Sequence, residues 1–83
     1  MNFTLNIHYI GKEEPTTVSG IAADIVAFET KFDISMSRLQ KDVKLTHLMF
    51  LAWAAEHRTK ATAKTFEDWV NDVEMVTAAD PKD

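Results

Sequence analysis

The sequence predicts a small α+β domain in which an N-terminal strand or β-hairpin precedes a mainly helical part of three to four short helices. Apolar and polar residues alternate over Phe3–Tyr9, which is the period of a strand with one buried face. The run Leu45–Arg58 is too rich in Ala and Leu for a strand and too short to cross a membrane. Thr65–Val76 has one apolar and one acidic face, as an amphipathic helix does.

We expect one domain over residues 1–76, with the strand or hairpin in 1–18, the helices in 19–76 and a flexible tail in 77–83. A single core of this size rarely contributes more than about 3–5 kcal/mol unless oligomerisation adds to it. The absence of cysteine excludes disulfides and thiolate metal sites. With no signal-like N-terminus and no membrane-spanning apolar run, we expect a cytoplasmic protein that does not contact the membrane.

The N-terminal strand is expected to turn back on itself. The sequence GKEEP at residues 11–15 favours a turn, and the β-prone residues 16–18 favour a short second strand. Ser19 follows as a candidate N-cap of the first helix, and Asp24 lies near the positive end of that helix.

The first helix has a narrow apolar stripe whose members lie within about 60° of one another, so it needs one packing partner. The stripe consists of Ile21, Ile25, Phe28 and Phe32. Asp33 interrupts the pattern, and Ser35 is a candidate cap for a short helical turn up to Val43. The phase of the apolar pattern changes there, so we predict a break near Val43 and Lys44.

Leu45–Arg58 is predicted to be the central helix of the fold. Its apolar side chains cover an arc of roughly 200°, about double that of a one-sided surface helix, so neighbours must pack on two sides. Phe50 lies in the remaining, mainly polar sector. We expect this ring either to be covered by Met36 and Leu39 of the preceding segment or to be exposed for a partner.

A linker over residues 59–64 precedes the last predicted helix. Thr65 opens the sequence Thr-Phe-Glu-Asp, which is close to a capping box with Asp in the place of Glu. Met75 lies on the acidic side of this helix. Across the chain, the residues with core spacing are Ile25, Phe28, Phe32, Leu48, Ala52, Trp53, Phe66, Trp69 and Val73. At these positions aromatic rings are more typical of a core than of a ligand cage.

Charge is unevenly distributed, although the net charge is only −4. One base and four acids give residues 1–30 a charge of −3, seven bases and three acids give residues 31–64 a charge of +4, and one base and six acids give residues 65–83 a charge of −5. A nucleic-acid binder usually concentrates positive charge. The alternating blocks of charge fit head-to-tail contact between copies of the protein better than they fit nucleic-acid binding. Solvated helix faces would give the same charge pattern.

No catalytic, metal or cofactor site is evident from the sequence. His47 and His57 lie ten residues apart on one helix, a rise of about 15 Å that is too long for two ligands of one ion. The carboxylate pair Glu13 and Glu14 looks solvent-facing, whereas acid–base catalysis needs two different environments in a concave site. The chain has no Gly-rich phosphate loop and no Cys nucleophile. We therefore expect a protein that is not an enzyme and needs no cofactor or metal.

Three blocks of the sequence carry a further pattern: ADIVAFETKFDISMSRL, LTHLMFLAWAAEHR and TFEDWVNDVEMV. In the first block an Asp precedes a Phe-Glu pair and a second Phe. The second block is a predicted leucine-rich helix that contains a Trp-Ala pair. In the third block a predicted Phe-x-x-Trp helix is followed by acidic residues. These residues are Asp24, Phe28, Glu29, Phe32, Trp53, Ala54, Phe66, Trp69, Asp72 and Glu74. In these blocks the chain resembles the small tail assembly chaperones of long-tailed, non-contractile bacteriophages.

The resemblance implies a non-enzymatic protein in the cytoplasm of an infected bacterial host. Its partners would be the tape measure protein, which it binds, and the tail tube protein, which polymerises around the tape measure. It would be absent from the mature virion. A longer form made by ribosomal frameshifting is common in that family. An uncovered tape measure protein exposes amphipathic helices that would aggregate unless small subunits mask them.

We expect self-association or tape measure binding through a face that bears His47, Phe50, His57 and Arg58, with Met75 as a further candidate. Two other functions fit the residues. One is a small virion structural protein, such as a head-tail joining subunit. The other is a DNA-associated regulator, against which the acidic ends and the lack of a basic recognition helix weigh.

Overall fold

The computed structural model describes residues 3–33 and 44–78, and it confirms a small α+β fold. The strands are β1 (Phe3–Tyr9), β2 (Thr16–Gly20) and β3 (Val73–Ala78). The helices are α1 (Ala22–Phe32), α2 (Leu45–Arg58) and α3 (Phe66–Val70). The helical turn predicted between Ser35 and Val43 lies outside the described residues. No helix within the described ranges is long and apolar enough to cross a membrane.

The three strands form one antiparallel sheet in the order β2-β1-β3, so the predicted hairpin is confirmed and a third strand joins it. Leu5 lies opposite Val18 of β2, and Ile7 lies opposite Val76 of β3. These residues point to the helices, and Leu5, Ile7 and Val76 are buried. The alternate residues Thr4, Asn6 and His8 lie on the other face, as the period of two requires.

The prediction of a helix over Thr65–Val76 is wrong beyond Val70. The chain turns at residues 71–72, and β3 then pairs with β1, so residues 73–76 are strand and residues 77–78 are strand rather than flexible tail. Val73 and Val76 are both buried, although a spacing of three puts two residues on opposite faces of a regular strand. The register between β1 and β3 is irregular between His8 and Tyr9, where β3 has one extra residue. An extra residue reverses the alternation of side chains along a strand, so Val73 and Val76 point to the same face.

The cap of α1 also differs from the prediction. Ser19 lies in β2, and Ile21 is the residue that precedes the helix. The carboxylate of Asp24 accepts a hydrogen bond of 3.0 Å from the Ile21 N–H, which supplies an acceptor for a donor at the helix start. At the other helix, Thr65 caps α3 as predicted, since its hydroxyl accepts from the Asp68 N–H at 3.3 Å.

Helix α2 is central, as its wide apolar arc indicates, and it packs against α1, α3 and the sheet. Five of the predicted core residues are buried: Ile25, Phe28, Ala52, Trp69 and Val73. The other four are partly buried, with their side chains packed against the core: Phe32, Leu48, Trp53 and Phe66. The core therefore joins all the elements that the structure describes.

Candidate functional site

Phe50 lies in the core and not on a binding face. It is 5% exposed, and its ring centroid lies 5.4 Å from that of Phe32, 5.5 Å from that of Trp53 and 5.4 Å from that of Phe66. Helices α1 and α3 thus both supply rings to the sector of α2 that seemed polar. Exposure of Phe50 for a partner is therefore wrong, because Phe32, Trp53 and Phe66 cover its ring. The expected covering by Met36 and Leu39 lies outside the described residues.

His47 is also buried, with 7% of its surface exposed. Its ring meets those of Phe28 and Phe32 edge to face, with centroid distances of 5.3 Å and 5.1 Å. Its Nδ1 atom has no hydrogen-bond partner among the described residues. A buried residue between two phenyl rings is part of the packing, so the prediction that His47 lies on a binding face is wrong as well.

The other candidates lie apart from one another. His57 is exposed at the end of α2, where its ring packs on Trp53 with a centroid distance of 4.8 Å. Arg58 turns towards α1 and β2. Met75 lies opposite His8, on the sheet face that points away from the helices, and is 42% exposed. The five residues therefore do not form one surface.

An ion pair joins Arg58 to Asp24, which the sequence placed near the positive end of the first helix. Arg58 Nε donates to Asp24 Oδ1 at 3.0 Å and to Oδ2 at 3.2 Å, and Arg58 Nη2 donates to the Ser19 carbonyl at 3.3 Å. Asp24 is only 3% exposed, so the guanidinium compensates a buried charge. This contact fixes α1, α2 and the end of β2 relative to one another.

Glu56 is a buried acid that the sequence reading missed, with 6% of its surface exposed. Its Oε1 atom accepts hydrogen bonds from the Tyr9 hydroxyl and, at 3.2 Å, from Trp69 Nε1. Burial raises the pKa of the Tyr9 phenol, and its hydrogen bond to Glu56 adds to that effect. Two features of the sequence could have indicated this buried acid. Glu56 lies within an Ala-rich apolar run, and the Tyr and Trp side chains each carry one polar group that needs a hydrogen-bond partner when it is buried.

A groove of about 380 Å³ runs between β2 and the C-terminal end of α2. The strand contributes residues 16–19, and the helix and the turn after it contribute Ala55, Glu56, Thr59 and Ala61. Small side chains on the helical wall leave this space open. A second, shallower depression lies beside Tyr9 and is lined by Ile10, Lys12, Asn71 and Asp72.

Large apolar side chains are exposed at several places besides Met75. Val26 on α1 is 60% exposed, Leu45 at the start of α2 is 43% exposed, and Ile21 before α1 is 40% exposed. Ile10 in the turn after β1 is 63% exposed. The first three lie on or directly before helices α1 and α2.

The described residues contain no cluster of three or more His, Asp or Glu side chains that could hold a metal ion. Comparisons with protein-family models, with curated proteins and with solved structures found no match to this chain. The arrangement of its own residues is therefore the ground for a functional proposal.

Proposed function

We propose that this protein is a tail assembly chaperone of a long-tailed, non-contractile bacteriophage. In this role it binds the tape measure protein without catalysis while the tail tube protein polymerises, and it leaves before the particle is complete. The observation that carries the proposal is that the three separate sequence blocks that hold the family-like pattern pack on one another in the fold.

Rings from the three blocks form a continuous chain of contacts. Phe28 packs on Phe32 with a centroid distance of 5.1 Å, and Phe32 packs on Phe50. Phe50 then packs on Phe66, which stacks on Trp69 at 6.3 Å. Residues that contact one another in a core limit which side chains can replace them. A sequence pattern made of such residues therefore reflects the fold, and not only the amino-acid composition. This supports a family relationship expressed through packing residues.

Exposed apolar side chains on α1 and at the start of α2 support the proposal. Val26, Leu45 and Ile21 are isolated apolar side chains on helices or at their ends. A tape measure protein before tube assembly exposes amphipathic helices, and moderate apolar surface on many small subunits would cover these helices reversibly. We therefore assign tape measure binding to the α1 side of the molecule in place of the Phe50 face.

Co-expression of a tagged tape measure protein with this chain tests the proposal. Val26→Lys should fold, because the side chain is exposed, and should reduce co-purification at least several-fold. Met75→Lys is the matched control, since Met75 is also exposed but lies on the opposite, sheet side. No co-purification of the unmodified chain contradicts the proposed function. Equal loss in both variants, or loss only with Met75→Lys, contradicts the assignment to the α1 side.

A further inference from the structure

We propose that the groove between β2 and the C-terminal end of α2 binds a primary alkylammonium group. The carboxylate of Glu56 receives the charged end of the ligand, and small apolar side chains of the groove contact its alkyl chain. This site is separate from the apolar surface proposed for tape measure binding. It rests on the groove itself and does not depend on the tail assembly role.

Glu56 places a buried carboxylate in the groove. The residue lines the groove and is only 6% exposed, so its charge lies at the floor of the groove and not at the rim. The Tyr9 hydroxyl and Trp69 Nε1 both donate to its Oε1 atom, and both of these donors are neutral. A buried carboxylate normally has a cation beside it, because removing an unpaired charge from water is costly. Two neutral donors compensate that cost only in part.

No cation in the described part of the chain forms an ion pair with Glu56. Arg58 lies near one end of the groove, since its Nη2 atom donates to the Ser19 carbonyl, but its charge is compensated by Asp24. The other ion pair among the described residues joins two side chains that do not line the groove. A bound cation would supply the positive charge that residues 3–33 and 44–78 do not.

The Oε2 atom of Glu56 is the acceptor that a ligand reaches. Within the described ranges no group donates a hydrogen bond to this atom. Among the side-chain atoms there, His47 Nδ1 alone is both fully buried and without a partner, so Oε2 keeps some accessible surface. Glu56 lines this groove and not the depression beside Tyr9, so that surface opens into the groove.

A single available carboxylate oxygen favours an ammonium group over other cations. A guanidinium binds a carboxylate best through two parallel hydrogen bonds, whereas Oε1 of Glu56 already accepts from two donors. A divalent metal ion needs several protein ligands, and the described residues contain no cluster of acids or histidines that supplies them. An ammonium group is a compact charge with three donors, so one carboxylate oxygen and neighbouring hydroxyl oxygens satisfy it.

The walls of the groove suit a short alkyl chain. Ala55 and Ala61 line its helical side and Val18 its strand side, so contact with them removes methylene groups from water. Thr16 shares a face of β2 with Val18, because residues two apart on a strand point the same way, and it adds a hydroxyl oxygen to the lining. The volume of about 380 Å³ lies within the range of about 300–1,000 Å³ that small-molecule sites occupy.

The indole N–H of Trp69 gives a direct measurement of binding, because it donates to the carboxylate that receives the ligand. We expect n-butylammonium chloride, titrated at pH 7 and constant ionic strength, to shift this signal saturably in ¹⁵N–¹H spectra. The indole N–H of Trp53 bonds to the Lys64 carbonyl and serves as the internal reference, which should not move. n-Butanol lacks the charge and tetramethylammonium lacks N–H donors, so neither should give a saturable shift. Equal shifts with either control overturn the proposal.

A blocked lysine peptide, acetyl-Gly-Lys-Gly-amide, tests the source of the ammonium group in the same titration. Tighter binding of the peptide than of n-butylammonium assigns the site to a lysine side chain of a partner polypeptide. Weaker binding of the peptide assigns it to a free amine. No saturable shift of the Trp69 signal with either compound overturns the proposal.

Three variants test which residues form the site. Glu56→Gln keeps an oxygen that accepts from Tyr9 and Trp69 but removes the charge, so it should weaken binding by about tenfold or more. Ala61→Phe fills the groove and should weaken binding as much, whereas Ala63→Phe is the matched control because Ala63 is exposed outside the groove. Circular dichroism checks that each variant folds.

The groove variants keep the test decisive even if Glu56→Gln does not fold. Folded Ala61→Phe that binds n-butylammonium as well as the unmodified chain overturns the proposal. Equal loss of binding in Ala61→Phe and Ala63→Phe overturns it as well, because the groove would then have no special part in binding.

Discussion

Arg58 Nε lies 3.0 Å from Asp24 Oδ1, and this ion pair links the start of α1 to the end of α2. Asp24 is 3% exposed, and its second oxygen accepts from the Ile21 N–H. The side chain of Arg58 is 32% exposed, so solvent screens one half of the pair. The contact joins two of the sequence blocks that carry the resemblance to tail assembly chaperones, and it needs both of them to be folded.

Arg58→Met should therefore lower the free energy of unfolding by about 1–3 kcal/mol, because it leaves the Asp24 carboxylate buried without its partner. The expected cost lies below that of a fully buried pair because the guanidinium is partly hydrated. Urea denaturation measures it. The double variant Asp24→Asn/Arg58→Met should recover part of the loss. Unchanged stability of Arg58→Met would mean that the ion pair does not hold α1 on α2.

Phe50→Asp should abolish folding, because it places a charge among the rings of Phe32, Trp53 and Phe66. Far-UV circular dichroism and a thermal melt measure the effect. Met75→Asp is the control, since that side chain points to solvent from the open face of the sheet. A folded Phe50→Asp protein would restore the interpretation of Phe50 as an interface residue.

Trp69→Ala should destabilise the fold by about 3–5 kcal/mol, the usual cost of deleting a fully buried aromatic ring. Trp69 is 1% exposed, and its Nε1 atom bonds to Glu56 and Tyr9. Trp53→Ala should cost less, because Trp53 is only partly buried and its Nε1 atom bonds to the exposed end of the linker, at the Lys64 carbonyl. Chemical denaturation of both variants ranks them, and the reverse order would contradict the assignment of the core centre.

Tyr9 predicts how stability depends on alkaline pH. Burial raises the pKa of its phenol above the ordinary value of 10.0, so the unfolded chain loses this proton first as pH rises. The stabilising contribution is complete below about pH 10 and is lost as pH rises from there towards the folded-state pKa. Tyr9→Phe cannot ionise and should show a smaller alkaline loss of stability. Denaturation curves on both sides of that pH give the comparison, and parallel slopes would contradict the prediction.

The sequence predicted the local elements well and the long-range contacts poorly. The alternation of apolar and polar residues predicted β1, and the Ala- and Leu-rich composition predicted α2. Each of these signals lies within a single segment of the sequence. Strand β3 was missed because Trp69, Val73 and Val76 also fit the period of a helix, whereas the β1 partner of this strand lies more than sixty residues away. The preference of Val and Thr for strands was the available local signal.

The candidate binding face failed for a related reason. A helical projection places Phe50 and His47 in a polar sector of α2, but it does not show that α1 and α3 cover that sector. Likewise, the helical pattern of α2 does not show that the side chains of Tyr9 and Trp69 converge on Glu56. Which sector of a helix is covered depends on its neighbours, and those are set by tertiary packing.

The most direct test of the tail assembly role is quantitative mass spectrometry of this chain during infection by a phage that encodes it. Complexes immunopurified from infected-cell lysate before tail completion should contain the chain together with the tape measure protein, and several copies should be present for each tape measure. Purified virions should lack it. Stoichiometric recovery of the chain in virions, or its absence from tape measure complexes, would contradict the account and favour a structural protein of the particle.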